Sequence, residues 1–588
     1  MRLLRTAFCV AALGLAVPAA AGAHAVLVRT MPADGARIQS GPQVIHLWFN
    51  EDISPTFRSV QLVAANGQAV RRLRLHAVSG TELVLKVPRL ARGAYGLVWR
   101  VVAEDDGHAT GGTLSFGVGV AASPRSQASS TTPPAPDVAI RWLRFAFTAL
   151  LLGGLAFTAL VLPSARPWLD PQLVGRLARR TLAAAIAGGA FALVVQAFAL
   201  ARQADAVGAA SGTSWTTTVR NLVLSTRWGA LWLAADAILA VLLVLALVLR
   251  RRAPAVPAPA AFAAALAAAA LTGVTAAGSH AASLPDWHTA VIVDAVHVLA
   301  ASVWIGSLAA LTIAFLTAGN SRALATVIGR PFALLAGGSV VVLVLTGLYS
   351  AGVQVVSIDG LLTTVYGQTL IAKTLLVVAC CSLGAANFLA LRALDRRRLA
   401  RLVRVTLGAE AVAGAGVLLA AAVLTASAPA RGPEFAAPKP VHAPTLAAGA
   451  ADVVLSVTVS PNRPGPNFVS VAAASSLRPP TPIRGIRAGR WTLHSVGGNR
   501  WVGTIDLASP GDASLPIRIR RAAGELSTRV GWRVEPRDPS RPVRYSSRRL
   551  ASLIDPALVG LLAALAAVAA GALLYRSPLH RLPREGHA

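Results

Sequence analysis

The sequence predicts a polytopic α-helical membrane protein with two exported all-β sandwich domains. Three observations predict it. The 588 residues are 55% apolar with a mean hydropathy of +0.60, too many for one domain and too apolar for a wholly soluble chain. The middle of the chain carries a series of apolar runs long enough to cross a bilayer. On either side of that middle the pattern changes to short runs with a period of two, broken by turn residues, which is the pattern of strands.

Residues 1–23 have the grammar of a secretory signal. Arg2 and Arg5 make a positive start, residues 7–17 an apolar run too short to span, and Ala21-Gly22-Ala23 an A-x-A cleavage site. Cleavage there makes His24 the first residue, with a free α-amine and an imidazole that can chelate a metal as a pair. Imidazole suits copper and zinc alike. The alternative is an uncleaved anchor with His24 an ordinary surface residue.

Residues 24–120 read as the first β-sandwich, with strands expected at 44–49, 59–64, 82–87, 94–103 and 113–118. No serine or cysteine pattern for nucleophilic catalysis occurs here. The chemistry-bearing group is Asp105-Asp106-Gly107-His108, an acidic and imidazole pair at a glycine turn. Taken without His24, Asp106 and His108 read as a solvated turn, since Asp and Gly are common turn formers.

Residues 121–137 are rich in Ser, Thr and Pro and read as a linker. Residues 138–427 form the membrane domain, with eight spans expected at 138–162, 178–201, 228–249, 258–279, 288–317, 332–353, 369–391 and 405–427. Residues 428–549 turn to Pro, Gly and Arg with strand alternation, a second extracytoplasmic β domain. Residues 550–588 hold a ninth span and a basic tail. Arginine clusters follow the first, third, fifth, seventh and ninth spans, which makes those ends cytoplasmic if the N-terminus is outside, as the signal requires. The expected location is the cytoplasmic (inner) membrane, multi-pass, with the C-terminus inside.

The net charge of +30 does not indicate nucleic acid. Only Lys86, Lys373 and Lys439 are lysine, and many arginines sit in the clusters that orient helices. Of the three cysteines, Cys9 leaves with the signal, and Cys380 and Cys381 lie inside an apolar run, so the exported parts have no disulfide framework.

Polar residues in the outer half of the bundle require an explanation. His280 ends the fourth span, Asp286 and His288 belong to a short outer loop, and Asp294 and His297 enter the fifth span three residues apart, on one helix face. His297 lies roughly 13 Å below His288 at 1.5 Å rise per residue. An ionisable residue at that depth costs about 2.5–3.5 kcal/mol for Asp on insertion scales, and it marks a functional site by default. Asp236 and Lys373 lie at comparable depth and can join or neutralise the cluster. The plainer alternative is a hydrogen-bond network that only holds helices together. Cys380 and Cys381 could offer a soft Cu(I) thiolate, but packed core thiols are the commoner case.

Two resemblances then become specific. His24-Ala25-Val26-Leu27, Met31-Pro32-Ala33-Asp34-Gly35, Trp99-Arg100-Val101-Val102, Asp106-Gly107-His108 and Gly111-Gly112-Thr113-Leu114-Ser115-Phe116 resemble the CopC family of exported copper-binding proteins. The resemblance implies a Cu(II) site on His24, Asp106 and His108. Two imidazoles, an amine and a carboxylate make a tetragonal N/O set of the kind Cu(II) prefers. Met31 is the single methionine left after cleavage, so no thioether Cu(I) site is expected. The run from His297 to Gly306, Arg330-Pro331-Phe332 and the run from Tyr366 to Lys373 resemble the CopD family of copper-transport membrane proteins. Together they resemble CopC–CopD fusion proteins. What this implies is copper binding outside and transport across the membrane, for uptake, homeostasis or resistance, along His280, His288, Asp294 and His297. The implied partners are copper ions, the lipid bilayer and an exported copper chaperone or reductase. Two alternatives stand: a membrane redox enzyme using copper or haem, and a copper sensor or store without transport. Asp106 weighs against oxygen chemistry, because it would fill a coordination position that a reactive copper leaves open.

Overall fold

The computed structural model describes residues 27–49, 52–64, 68–104, 107, 109–120, 133–211, 214–284, 286–318, 322–393, 396–431, 435, 443–522, 524–536 and 543–575. The expected signal, His24, Asp106 and His108 lie outside the described residues.

The first β domain is two four-stranded sheets packed face to face. One holds β1 (Leu27–Met31), β3 (Val44–Phe49), β6 (Glu82–Lys86) and β5 (Arg74–Ser79) in that order; the other holds β2 (Ala36–Ile38), β8 (Ala109–Val118), β7 (Gly93–Ala103) and β4 (Ile53–Ala64). Alternation decides which face is inside. Ile45, Leu47 and Phe49 of β3 point inward with Leu83 and Leu85 of β6, against Leu62, Leu97 and Phe116 of the other sheet. Trp99 meets Phe49 edge-on at 5.2 Å between centroids. The Asp34-Gly35 turn is structural: the Ser115 N–H donates to Asp34 Oδ1 at 2.8 Å and the Gly35 N–H donates to the Ser115 carbonyl at 2.7 Å. Strand β5 was absent from the sequence expectation because it is exposed along nearly all its length and so shows no alternation.

The helical part begins with α1 (Ala135–Ala156), which continues through a π turn (Phe157–Val161) and a 3-10 turn (Leu162–Ala165). Then come α2 (Pro171–Ser211), α3 (Trp215–Ser225), α4 (Arg227–Arg252), α5 (Ala258–Ala277), α6 (Trp287–Ala318), α7 (Arg322–Gln354), α8 (Ile358–Thr363), α9 (Val365–Ala393) and α10 (Arg396–Ala426). Among the described residues eight helices are long and apolar enough to cross a membrane: all of these except the short α3 and α8. The last helix, α11 (Ala551–Tyr575), contributes a shorter apolar stretch, Ala551–Ala567. Glycines let α1 and α6 cross closely. A Cβ on Gly306 would fall on the Ala149 carbonyl and within 2.8 Å of the Gly153 Cα, so only backbone fits there. Helix α7 starts ten residues before the expected 332 and runs through Pro331. Proline is tolerated inside membrane helices because neighbouring groups satisfy the freed carbonyl.

Helix α2 has 41 residues, about 60 Å at 1.5 Å each, twice the roughly 30 Å of hydrocarbon. Its C-terminal part, carrying Arg202, Gln203 and Asp205, therefore stands clear of the bilayer. Helix α3 folds back beside it, started by Ser214, whose Oγ accepts from the Thr217 N–H. Consecutive spans reverse direction, so the C-terminal ends of α2, α5, α7 and α10 share one side, and both β domains attach there.

The second β domain is one antiparallel sheet of eight strands: β9 (Thr445–Ala450), β10 (Val453–Ser460), β11 (Gly465–Ser475), β12 (Ile483–Ala488), β13 (Trp491–Ser495), β14 (Arg500–Leu507), β15 (Gly511–Arg521) and β16 (Gly524–Val534). The order is β16-β15-β12-β13-β14-β11-β10-β9, and the edge strands β16 and β9 also meet, so the layers close like a barrel around Val457, Val471, Ile517 and Trp501. Asn462 ties the 461–467 turn to β16, accepting from Trp532 Nε1 at 2.8 Å and donating to the Arg533 carbonyl.

Candidate functional site

The first β domain sits on the α2–α3 hairpin at one end of the bundle. Phe57 of β4 and Val102 of β7 are buried against Ala204 and Val207 of α2 and Leu222 of α3. Burying each of the two β-domain side chains is worth about 1.5–3 kcal/mol. At the centre of this contact is Gly107. Its φ is +71°, and a Cβ there would lie 2.8 Å from Trp228 Cδ1 at the start of α4. Gln203 of α2 donates to the Gly107 carbonyl. Gly107, the residue between Asp106 and His108 in the chain, is thus held against the membrane domain.

Polar contacts continue inward from Trp228. Its neighbour Arg227 donates to the Ala277 carbonyl at the end of α5 at 3.1 Å. Two residues on, the Ser279 hydroxyl donates to Asp294 Oδ2 of α6 at 2.7 Å. One turn deeper, His297 Nδ1 lies 2.8 Å from Thr346 Oγ1 of α7, and Lys373 Nζ of α9 donates to His297 Nε2 at 3.4 Å. The network fixes the tautomer. Thr346 Oγ1 already gives its proton to the Val342 carbonyl at 2.6 Å, so Thr346 accepts and Nδ1 carries the imidazole proton. The Nε2 lone pair is left facing Lys373, in the orientation that second-shell groups impose on metal-binding histidines.

The expected residues divide as follows. Lys373 joins His297, as the sequence allowed. Asp294 and His297 share a face but have different hydrogen-bond partners: the carboxylate binds Ser279, and the imidazole is oriented by Thr346, not by Asp294. Asp236 belongs to another cluster, where Gln196 Nε2 donates to its Oδ1 at 3.1 Å and Arg144 donates to Gln196 Oε1 at 3.4 Å. His280 is buried in the turn after α5, where the Ser283 hydroxyl donates to its carbonyl, and Arg431 donates to the Ser283 hydroxyl. His288 is exposed and stacked on Trp287 at 3.6 Å. Among the described residues no three His, Cys, Asp or Glu converge closely enough to hold a metal ion. His280, His288, Asp294 and His297 therefore do not form one closed site.

Below His297 on the same helix, Trp304 packs with Cys380 and Leu343. The Cys380 thiol is buried and donates to the Glu410 carbonyl at 3.4 Å, as a packed core thiol does. Sequence reasoning missed Glu410 itself, a buried carboxylate on α10 that accepts from Asn387, which in turn accepts from Thr406. The available signal was an acidic residue inside an apolar span, the same signal that singled out Asp294. It also missed α3 and Arg144, the former too short and polar to stand out.

Comparison with known proteins places these parts in families. Residues 27–119 match the CopC domain, residues 132–290 the copper resistance protein D-like N-terminal domain, and residues 326–424 copper resistance protein D. The copper transport protein CutJ of Bacillus subtilis (strain 168) is 29% identical over 492 residues, 82% of this chain and 87% of that protein. Protein YobA of Escherichia coli (strain K12) is 31% identical over 120 residues, 20% of this chain and 95% of that protein. The crystal structure of CopC from Methylosinus trichosporium OB3b is 29% identical and covers 16% of this chain and 93% of that one, with a TM-score of 0.15. The matched families are copper transport and resistance proteins. The chain belongs to the CopC–CopD fusion proteins, with a CopC domain and a copper resistance protein D membrane domain on one polypeptide.

Proposed function

We propose that the chain captures Cu(II) outside the cytoplasmic membrane through His24, Asp106 and His108 and passes copper inward through the bundle by way of His297, for uptake. The observation that supports this is the seat of Gly107 against Trp228 and Gln203 at the end of the bundle, since Gly107 stands between Asp106 and His108 in the chain. From there Arg227, Ser279 and Asp294 lead to an imidazole whose Nε2 is turned away from Thr346 and toward the Lys373 amine. The name of the relative CutJ, a copper transport protein, supports the same function. Copper entering hydrocarbon must exchange its water for protein ligands, and an imidazole fixed from behind by Thr346 supplies one once the Lys373 amine leaves its Nε2. With the N-terminus outside, the arginine clusters after the odd-numbered spans are cytoplasmic.

The test is isotopic copper uptake by cells with and without the chain, with paramagnetic resonance of the mature domain. Uptake should depend on the chain, and Cu(II) should give a type-2 tetragonal spectrum that is lost in His108→Ala. Uptake that is independent of the chain, or binding of Cu(I) in place of Cu(II) by the domain, would refute the proposal.

A further inference from the structure

The transport function proposed above leaves Lys373 unexplained. It is one of three lysines in the chain, and its Nζ donates to the lone pair that a metal at His297 would need. Asp294 lies within electrostatic reach of it, which gives the amine a counter-charge inside the bundle. An ammonium on a flexible stem is a compact point charge with rotatable donors. At His297 it stands where an incoming cation would bind, held by the same nitrogen.

We infer that Lys373 is a tethered cation that closes the His297 station and selects what can open it. A hard ion such as Mg2+ or K+ prefers oxygen ligands and gains little from imidazole, so it cannot displace the amine. Copper bonds imidazole nitrogen strongly and can take the lone pair. Lys373 then swings from His297 toward Asp294, one turn away on the same face, which keeps its charge compensated while the metal occupies Nε2. The resting bundle is in this way closed to hard cations without an apolar plug, and it opens only for a metal that ligates nitrogen. The inference rests on the proposed role of His297 in transport.

The experiment acetylates the full chain in lipid nanodiscs with acetic anhydride and reads each lysine by mass spectrometry, with Lys86 and Lys439 as internal references. Copper alone, as Cu(II) or as Cu(I) with ascorbate, should raise acetylation of Lys373 severalfold. Mg2+ should leave it unchanged, and His297→Ala should make it high without metal. Unchanged Lys373 labelling on copper loading overturns the inference. A second arm measures copper affinity. Lys373→Leu should bind copper at His297 about tenfold or more tighter, because a like charge at contact distance is gone, and the gain should vanish in Lys373→Leu/His297→Ala. Lys373→Arg, which keeps the charge, should stay near the parent. Equal or weaker binding by Lys373→Leu also overturns the inference. If His297→Ala abolishes uptake while Lys373 labelling is indifferent to copper, the transport proposal stands and the tethered-cation inference falls. If His297→Ala transports normally, the transport proposal itself fails.

Discussion

Gly107→Ala should lift the first β domain off the bundle. The added Cβ would lie 2.8 Å from Trp228 Cδ1, 2.9 Å from Cγ and 3.2 Å from Cβ, and the residue would keep a φ of +71°. The left-handed conformation costs an L-residue about 1–2 kcal/mol. Overpacking against the indole adds about 1–3 kcal/mol. The sum, about 2–5 kcal/mol, rivals the about 3–6 kcal/mol gained by burying Phe57 and Val102, so the docked and undocked forms should become comparably populated. Amide hydrogen exchange on the full chain reads this directly. Protection around Ala204, Val207 and Leu222 should fall, while the cores of the sandwich and bundle stay protected. Trp228→Ala in the same chain should remove the overlap and leave only the backbone cost. The double variant should then lose less protection, relative to Trp228→Ala alone, than Gly107→Ala loses relative to the parent. Full protection at α2 and α3 in Gly107→Ala would refute the docking argument, as would equal losses in both backgrounds.

Thr346→Val should remove the acceptor that fixes the His297 tautomer, lowering copper uptake about tenfold or more while the protein inserts at normal abundance; loss of the folded protein would make Thr346 merely structural. Extending the mature chain by one residue before His24 should weaken Cu(II) binding severely, because it removes the α-amine from the site; titration of the mature domain checks this, and unchanged affinity would place the site elsewhere. In the second β domain the Ser475 hydroxyl and the Arg521 guanidinium hold the Asp452 carboxyl below the usual carboxylate range. Its contribution to stability is fully present above the unfolded value of about 3.9 and is lost as pH falls through the lower folded value. Acid unfolding of the 443–536 domain should therefore be blunted in Asp452→Asn, which is already destabilised at neutral pH; an unchanged acid profile would count against the pair.

The spans were legible because each is a long apolar run, and the arginine clusters between them alternate. The strands with clean alternation, such as 44–49, were legible for the same reason. The strands that escaped were exposed β5, the Ala- and Gly-rich β9, and the short β1, β2 and β12, which have three to six residues and carry too little alternation to stand out. Helix α3 escaped because its burial comes from the β domain resting on it and not from its own composition. At the site, the three-residue spacing correctly put Asp294 and His297 on one face. It could not show that they would bond different neighbours, since two residues three apart still differ by about 60° around the axis. The partners Ser279, Thr346 and Lys373 come from three other elements. Only the packing of the bundle brings them to α6, and no local pattern encodes that. Gly107 was visible as a turn residue, but its reason, the indole of Trp228, lies 121 positions away.

The most direct test of copper passage through His297 is flux into proteoliposomes holding the purified chain, compared with His297→Ala reconstituted at equal density. The parent should accumulate copper inside the vesicles, and His297→Ala should fall to the level of protein-free liposomes while keeping its Cu(II) signal at the outer domain. Accumulation by His297→Ala at the parent rate would contradict the account and move the pathway away from this imidazole.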